Sequence, residues 1–82
     1  MAFDEHRAGL AAELARLEDL ARQARDAANS LDARAEAAEG ATETFADDTT
    51  LARVRATAKR ARQDLGALAR TLRETRDVVT SD

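Results

Sequence analysis

Apolar residues recur in this chain at alternating spacings of four and three over two long stretches. A repeat averaging 3.5 residues places its members on one side of an α-helix, at the a and d positions of a heptad. The first stretch comprises Leu10, Leu14, Leu17, Ala21, Ala24, Ala28, Leu31, Ala35 and Ala38. The second comprises Leu51, Val54, Ala58, Ala61, Leu65, Leu68, Leu72, Thr75 and Val79. We therefore expect an all-α chain with one amphipathic helix in each half.

The composition excludes other fold classes. The 82 residues include no Pro, Cys, Trp or Tyr, and Val54, Val78 and Val79 are the only β-branched apolar residues. Because strands are rich in β-branched and aromatic residues, this inventory argues against a β fold. Without cysteine, a disulfide framework, a Cys-rich zinc site and a thiol nucleophile are impossible.

Local signals mark the ends of the first helix. Asp4 is a residue type that caps helix N-termini, and Phe3 before it is placed to pack against Ala8 as a hydrophobic staple. Gly40 is a natural terminator, because a residue without Cβ adopts positive φ without a steric penalty. The sequence thus predicts a first helix over residues 4–39.

The second helix has three candidate capping residues, and the sequence does not choose among them: Asp48, Thr49 and Thr50. We expect a single helical-hairpin domain over residues 1–82, with an acidic turn at 40–48 and a second helix at 49–79. Phe45 in the turn either packs onto the end of the hairpin or stands exposed as a contact for another protein.

The two heptad stretches define a register for an antiparallel hairpin. With Ala38 opposite Leu51, all nine layers follow, and five of them pair a small with a larger side chain. The flanking e positions give an independent test, since facing pairs select register and orientation. Three pairs are attractive and the fourth is neutral: Glu18 with Arg76, Asp32 with Arg62, Glu39 with Arg55, and Arg25 with Ala69.

The apolar stripe is wider than a two-helix seam requires, because Leu20, Ala27 and Val78 extend it. We expect dimerisation, with a second copy or an unlike helical protein, to complete a four-helix bundle. A domain-swapped dimer with a straightened Gly40 turn is an alternative. The expected hairpin and partner interface comprises Leu10, Leu14, Leu17, Leu20, Leu31, Leu51, Val54, Leu65, Leu68, Leu72 and Val79.

Two glycines, Gly9 and Gly66, fall inside the expected helices but outside the seam. Each costs roughly 1 kcal/mol relative to Ala at such a position. They indicate either close approach of a second chain or simple tolerance on a surface.

No residue pattern supports catalysis, a cofactor or a metal. His6 is the only imidazole and is expected to be a surface residue, so no catalytic triad can form around it. The acidic residues around Gly40 lack the alternating spacing of an EF-hand loop, which favours capping and solvation. These are Glu36, Glu39, Glu43, Asp47 and Asp48. We expect a non-enzymatic interaction module.

A nucleic-acid-associated or phage-type regulatory or structural protein is the alternative class. Residues 53–76 carry eight basic side chains against two acidic ones, and Arg53, Lys59 and Arg60 avoid the e edge and can meet phosphates. The formal net charge of -3 and the near absence of aromatic residues argue against this alternative.

Two long Ala-rich helices joined by a turn near Gly40 resemble the WXG-type helical hairpins of type VII secretion systems. The Trp-x-Gly turn of that family is missing, and Val78 stands where its Tyr-x-x-x-Asp/Glu export signal has Tyr. The resemblance implies a homo- or heterodimeric four-helix bundle that accompanies a signal-bearing partner. No signal peptide or membrane-inserting run is present, so we expect synthesis in the cytoplasm and, by the resemblance, export without cleavage.

Overall fold

The computed structural model describes residues 2–41 and 48–81 and contains two α-helices. Helix α1 is Ala2–Ala41 and helix α2 is Asp48–Thr80. They pack against each other along their length as a hairpin whose Cα atoms span 66 × 14 × 14 Å. The predicted all-α hairpin is confirmed, and the described residues contain no strand.

The start of α1 differs from the sequence expectation. The helix begins at Ala2, so Phe3 and Asp4 lie within its first turn instead of forming a staple and an N-cap. Asp4 still stabilises this end, because a carboxylate in the first turn faces the positive pole of the helix dipole. Its Oδ1 lies 3.5 Å from Arg7 Nη2, and the Arg7 guanidinium stacks 5.2 Å from the centre of the Phe3 ring.

The end of α1 also differs. Gly40 is helical, no described glycine has positive φ, and the helix continues to Ala41. The prediction of a left-handed terminator at Gly40 is therefore wrong, because a single helical glycine costs only about 1 kcal/mol and the helix continues through it. Helix α2 begins at Asp48, whereas Glu43, Phe45 and Asp47 of the expected turn lie outside the described residues.

The best-buried side chains of the hairpin are alanines. Ala58 of α2 is fully buried, and Ala21, Ala28 and Ala35 repeat every seven residues along α1 with exposed fractions of 5–8%. Small side chains at one heptad position let two helices approach closely. Larger seam residues around them are half-buried: Leu14, Leu51, Val54, Leu65, Leu72 and Val79.

Thr75 is the one polar member of the α2 stretch. Its hydroxyl donates a hydrogen bond of 2.9 Å to the carbonyl oxygen of Thr71, one turn earlier in the same helix. The hydroxyl therefore needs no partner from α1, which explains how a polar residue fits the heptad pattern.

Candidate interaction surface

Interhelical ion pairs line one edge of the hairpin, which we call the ion-paired edge. All three pairs expected from the sequence form: Arg76 Nη1 with Glu18 Oε2 at 3.0 Å, Arg62 Nη1 with Asp32 Oδ2 at 3.8 Å, and Arg55 Nη1 with Glu39 Oε2 at 2.7 Å. Because each pair joins positions fixed by the register, the predicted register and antiparallel orientation are confirmed.

Arg55 contacts two carboxylates of α1 on this edge. It donates through Nη1 to Glu39 at 2.7 Å and through Nε to Asp32 at 3.4 Å. These hydrogen bonds, the one to Glu39 first, raise the pKa of the Arg55 guanidinium above its usual value. A single guanidinium thus links two carboxylates that lie two turns apart on α1.

Glu18 organises the other end of the same edge. Its carboxylate lies 3.0 Å from Arg76 Nη1 and 4.0 Å from Arg73 Nε, and its side chain is only 15% exposed. The pair with Arg76 is electrostatic, since the geometry aligns no hydrogen bond to Glu18 Oε2. Sequence reasoning identified Arg76 but not Arg73, which lies one turn earlier on α2.

The side of the hairpin opposite the ion-paired edge leaves large apolar side chains in solvent. Five leucines there are 41–50% exposed, and Val78 is 75% exposed. We define the open face by the apolar residues at d and g heptad positions on this side: Leu10, Leu17, Leu20, Ala24, Ala27 and Leu31 of α1, with Val54, Ala61, Leu68 and Val78 of α2. Polar and charged residues occupy other d and g positions of the same side: Glu13, Arg34, Thr57, Asp64, Thr71 and Thr75.

The open face results from a rotation of both helices toward the ion-paired edge. In a symmetric two-helix seam, a and d positions would be equally buried. Here Ala21 at position a of α1 is 5% exposed while Leu17 at position d is 48% exposed. Likewise Ala58 at position a of α2 is fully buried, whereas Leu68 at position d is 47% exposed. The small a residues of α1, together with Ala58 of α2 and the ion pairs, bring one edge together, which turns the d leucines outward.

A groove on the open face illustrates this geometry. Leu31 of α1 lines it together with Thr50, Arg53, Val54 and Thr57 of α2. The groove combines apolar side chains with one cation, a composition that suits an apolar side chain from another helix.

The three residues expected to contact phosphates do not line a common cleft, and their role stays a prediction. Arg53 borders the groove on the open face, and Arg60 Nε lies 3.8 Å from Asp64 of its own helix. Lys59 instead lines a cleft nearer the ion-paired edge. The reason is helical geometry, because residues six apart differ by about 120° around the axis.

Sequence reasoning missed the cleft that contains Lys59. This basic cleft, about 510 Å³ in volume, is lined by Arg22, Arg25, Asp26 and Asn29 of α1 with Lys59, Arg62 and Gln63 of α2. Its cations come from both helices, so counting charges along α2 alone could not find it. Applying the hairpin register to the basic residues of α1 would have brought them together.

The described part of the chain offers little support for a histidine-based site, a metal site or a membrane-spanning helix. His6 is exposed in the first turn of α1, and no group of three His, Cys, Asp or Glu side chains within residues 2–41 and 48–81 is arranged to hold a metal. Neither described helix has a stretch long and apolar enough to cross a membrane.

Comparison with known protein families, curated proteins and solved structures finds no match to this chain. The open face and the basic cleft are therefore interpreted from their own chemistry.

Proposed function

We propose that this chain is a non-enzymatic protein–protein interaction module that pairs with a helical partner through the open face. The observation that carries the proposal is the row of half-exposed leucines along one side of an otherwise ordered hairpin. Large apolar side chains that are exposed together on one side of a protein are characteristic of interaction sites. The partner is a second copy or an unlike helical protein, and burial of the leucines completes a four-helix bundle.

The asymmetry of the hairpin supports this proposal. On the ion-paired edge, charged side chains of the two helices satisfy each other, as Arg55 does with Asp32 and Glu39. The open face offers Leu17, Leu20 and Leu68, which contribute binding energy only when another surface removes them from water. Binding energy is therefore concentrated on one side.

A variant with two new carboxylates on the open face tests the proposal. Leu20→Glu/Val78→Glu changes two exposed g positions that lie outside the intramolecular seam. Light scattering coupled to size exclusion, across a concentration series, should show loss of the associated species. Circular dichroism on the same samples should show that the helices are retained.

The matched control is Ala12→Glu/Ala33→Glu, which adds the same charge to exposed positions on the outer side of α1. The control should associate like the unmodified chain. Equal association of Leu20→Glu/Val78→Glu and the control would contradict the proposal. Failure of the unmodified chain to bind either itself or a helical partner would also contradict it.

A role in type VII secretion is the sharper form of this proposal. It rests on the architecture of two Ala-rich antiparallel helices joined near residue 40. Export of the tagged chain should then require the ATPase of such a system and a signal-bearing partner. Equal export with and without the ATPase would contradict it.

The basic cleft favours a second candidate function, binding of a polyanion such as a nucleic acid. Four cations line this cleft with one carboxylate: Arg22, Arg25, Lys59 and Arg62 with Asp26. Arg22 and Arg62 also pair with Asp19 and Asp32 outside the cleft, which leaves Arg25 and Lys59 as its main cations. Binding of a labelled duplex at low salt should weaken in Arg25→Ala/Lys59→Ala and not in the control Arg53→Ala/Arg60→Ala. Equal weakening by both pairs would indicate nonspecific attraction.

A further inference from the structure

We propose that the occupant of the open face is a second copy of this chain, related by a twofold axis perpendicular to the long axis of the hairpin. This inference rests on the proposed function and specifies its partner and geometry. In this dimer α1 lies antiparallel on α1 of the second copy, and α2 lies antiparallel on α2. The axis passes near Ala24 of α1 and Asp64 of α2.

The d and g positions of α1 form a self-complementary antiparallel seam. Residues that face each other across a twofold axis between antiparallel helices have numbers that add to about twice the residue number at the axis. A sum of 48 places Leu17 opposite Leu31 and Ala24 opposite its own copy, and a sum of 47 places Leu20 opposite Ala27. The exposed leucines thus meet either another exposed leucine or an alanine that leaves room for them.

Helix α2 shows the same self-complementarity about the same axis. With a sum of 129, Leu68 lies opposite Ala61 and Val54 opposite Thr75. The midpoint falls between residues 64 and 65, which the hairpin register places beside residues 24 and 25 of α1. The two helices therefore place the axis at the same level to within about one residue, as a single rigid dimer requires.

The charges around the open face favour this orientation. Arg34 and Arg53 border it at the end near residues 41 and 48, whereas Glu13 and Glu74 border it at the opposite end. The antiparallel copy places Arg34 opposite Glu13 and Arg53 opposite Glu74. In residues 2–41 and 48–81 none of these four side chains forms an ion pair within the hairpin.

A parallel copy, related by a twofold along the hairpin axis, has the opposite electrostatics. It would place Arg34 and Arg53 near the same two arginines of the second copy, and Glu13 and Glu74 near the same two glutamates. Like charges that face each other across an interface repel. The charged residues at the two ends of the open face therefore favour the antiparallel copy.

Asp64 is the one charged g residue near the proposed axis, where it approaches its own copy. Arg60 Nε lies 3.8 Å from Asp64 Oδ2 and offsets that charge within each chain. This pair partly offsets the repulsion between the two Asp64 side chains at the axis.

The dimensions of the face suit a stable dimer. A surface of 66 × 14 Å corresponds to roughly 900 Å², and a standard interface buries about 800 Å² on each partner. The self-complementary seam of α1 from Leu10 to Leu31 extends over about 32 Å, roughly half of this length.

Charge reversal at the two ends of the face tests the geometry. Arg34→Glu/Arg53→Glu and Glu13→Arg/Glu74→Arg should each weaken dimerisation about tenfold at low salt, because each creates repulsion at both symmetry-related ends. The variant that carries all four substitutions should dimerise like the unmodified chain, because every pair across the interface again joins opposite charges. Sedimentation equilibrium at 50 mM and 500 mM salt measures each dissociation constant.

The outcomes separate this inference from the proposed function. Recovery in the variant with all four substitutions supports the antiparallel copy. Another outcome is that the dimer dissociates in Leu20→Glu/Val78→Glu and yet keeps its dissociation constant in the charge-reversal variants. In that case the proposed antiparallel geometry is wrong and the proposed function stands. A helical monomer at every concentration overturns the second copy as occupant, whereas a dimer insensitive to Leu20→Glu/Val78→Glu overturns both.

Engineered cysteines give a second readout that does not depend on charge. The chain has no cysteine, so Ala24→Cys alone should form a disulfide between copies under mild oxidation. Leu31→Cys alone should not, but a mixture of Leu17→Cys and Leu31→Cys chains should form the mixed disulfide. Self-linkage at position 31 with none at position 24 would overturn the proposed axis.

Discussion

Ala58 shows how closely the two helices approach. It is the only residue of the described core with no exposed surface, and it lies in the a row of α2 where α1 presents Ala28 and Ala35. A methyl group fills this space, and a larger side chain would push the helix axes apart.

We therefore expect Ala58→Leu to lower the free energy of unfolding by about 1–3 kcal/mol through overpacking. Ala56→Leu, at an exposed position one half-turn away, should change it by less than about 0.5 kcal/mol. Urea unfolding followed by circular dichroism measures both. Equal stability of the two variants would contradict the close approach at Ala58.

Arg55 carries the electrostatic link between the helices. Arg55→Glu would place three carboxylates together, with Asp32 and Glu39, so we expect a lower thermal midpoint. The loss should shrink at 500 mM salt, because salt screens charges near the surface. Arg70→Glu, on the exposed outer side of α2, is the matched control and should have little effect. A salt-independent loss would point to packing rather than charge.

At the scale of the element, α1 continues through a glycine that its sequence marks as a terminator. Gly40 has negative φ, and a Cβ built on it would meet no atom within 4 Å. The glycine therefore weakens the end of α1 without providing a left-handed turn.

Gly40→Ala should stabilise the hairpin by about 0.5–1 kcal/mol, since alanine has the higher helix propensity and fits the observed conformation. Gly9→Ala provides the comparison, because it is also helical with open space around its Cβ. Chemical denaturation of both variants is the measurement. Destabilisation by Gly40→Ala alone would show that residue 40 needs positive φ.

At the scale of the whole molecule, the two sides of the hairpin differ: charged side chains pair with each other on the ion-paired edge, whereas apolar side chains remain exposed on the open face. The ion-paired edge uses Arg55, Arg62 and Arg76 within the chain. The open face exposes leucines whose burial requires a second surface. Folding and association should therefore be thermodynamically linked.

The thermal midpoint should accordingly rise with protein concentration, because a partner that binds only the folded state stabilises it by mass action. Differential scanning calorimetry across a hundredfold concentration range tests this expectation. Leu20→Glu/Val78→Glu should abolish the dependence. A midpoint independent of concentration in the unmodified chain would show that the hairpin is stable without a second copy.

The heptad spacing, by itself, determined the two helices, their antiparallel pairing and their register. The pairs of Glu18 with Arg76 and Glu39 with Arg55 were predictable because both partners occupy positions fixed by one index sum. Periodicity determines which side of a helix is apolar, and opposite charges at constant spacing select the alignment.

Only the tertiary structure decided how far each helix turns about its axis. The spacing treats Leu17 and Ala21 as equal members of one seam, yet one is half-exposed and the other buried. That difference depends on close approach at alanines and on ion pairs that draw one edge together, which involve both helices at once. A repeat along one chain cannot express these relations, because they arise from the distance and rotation between two packed helices.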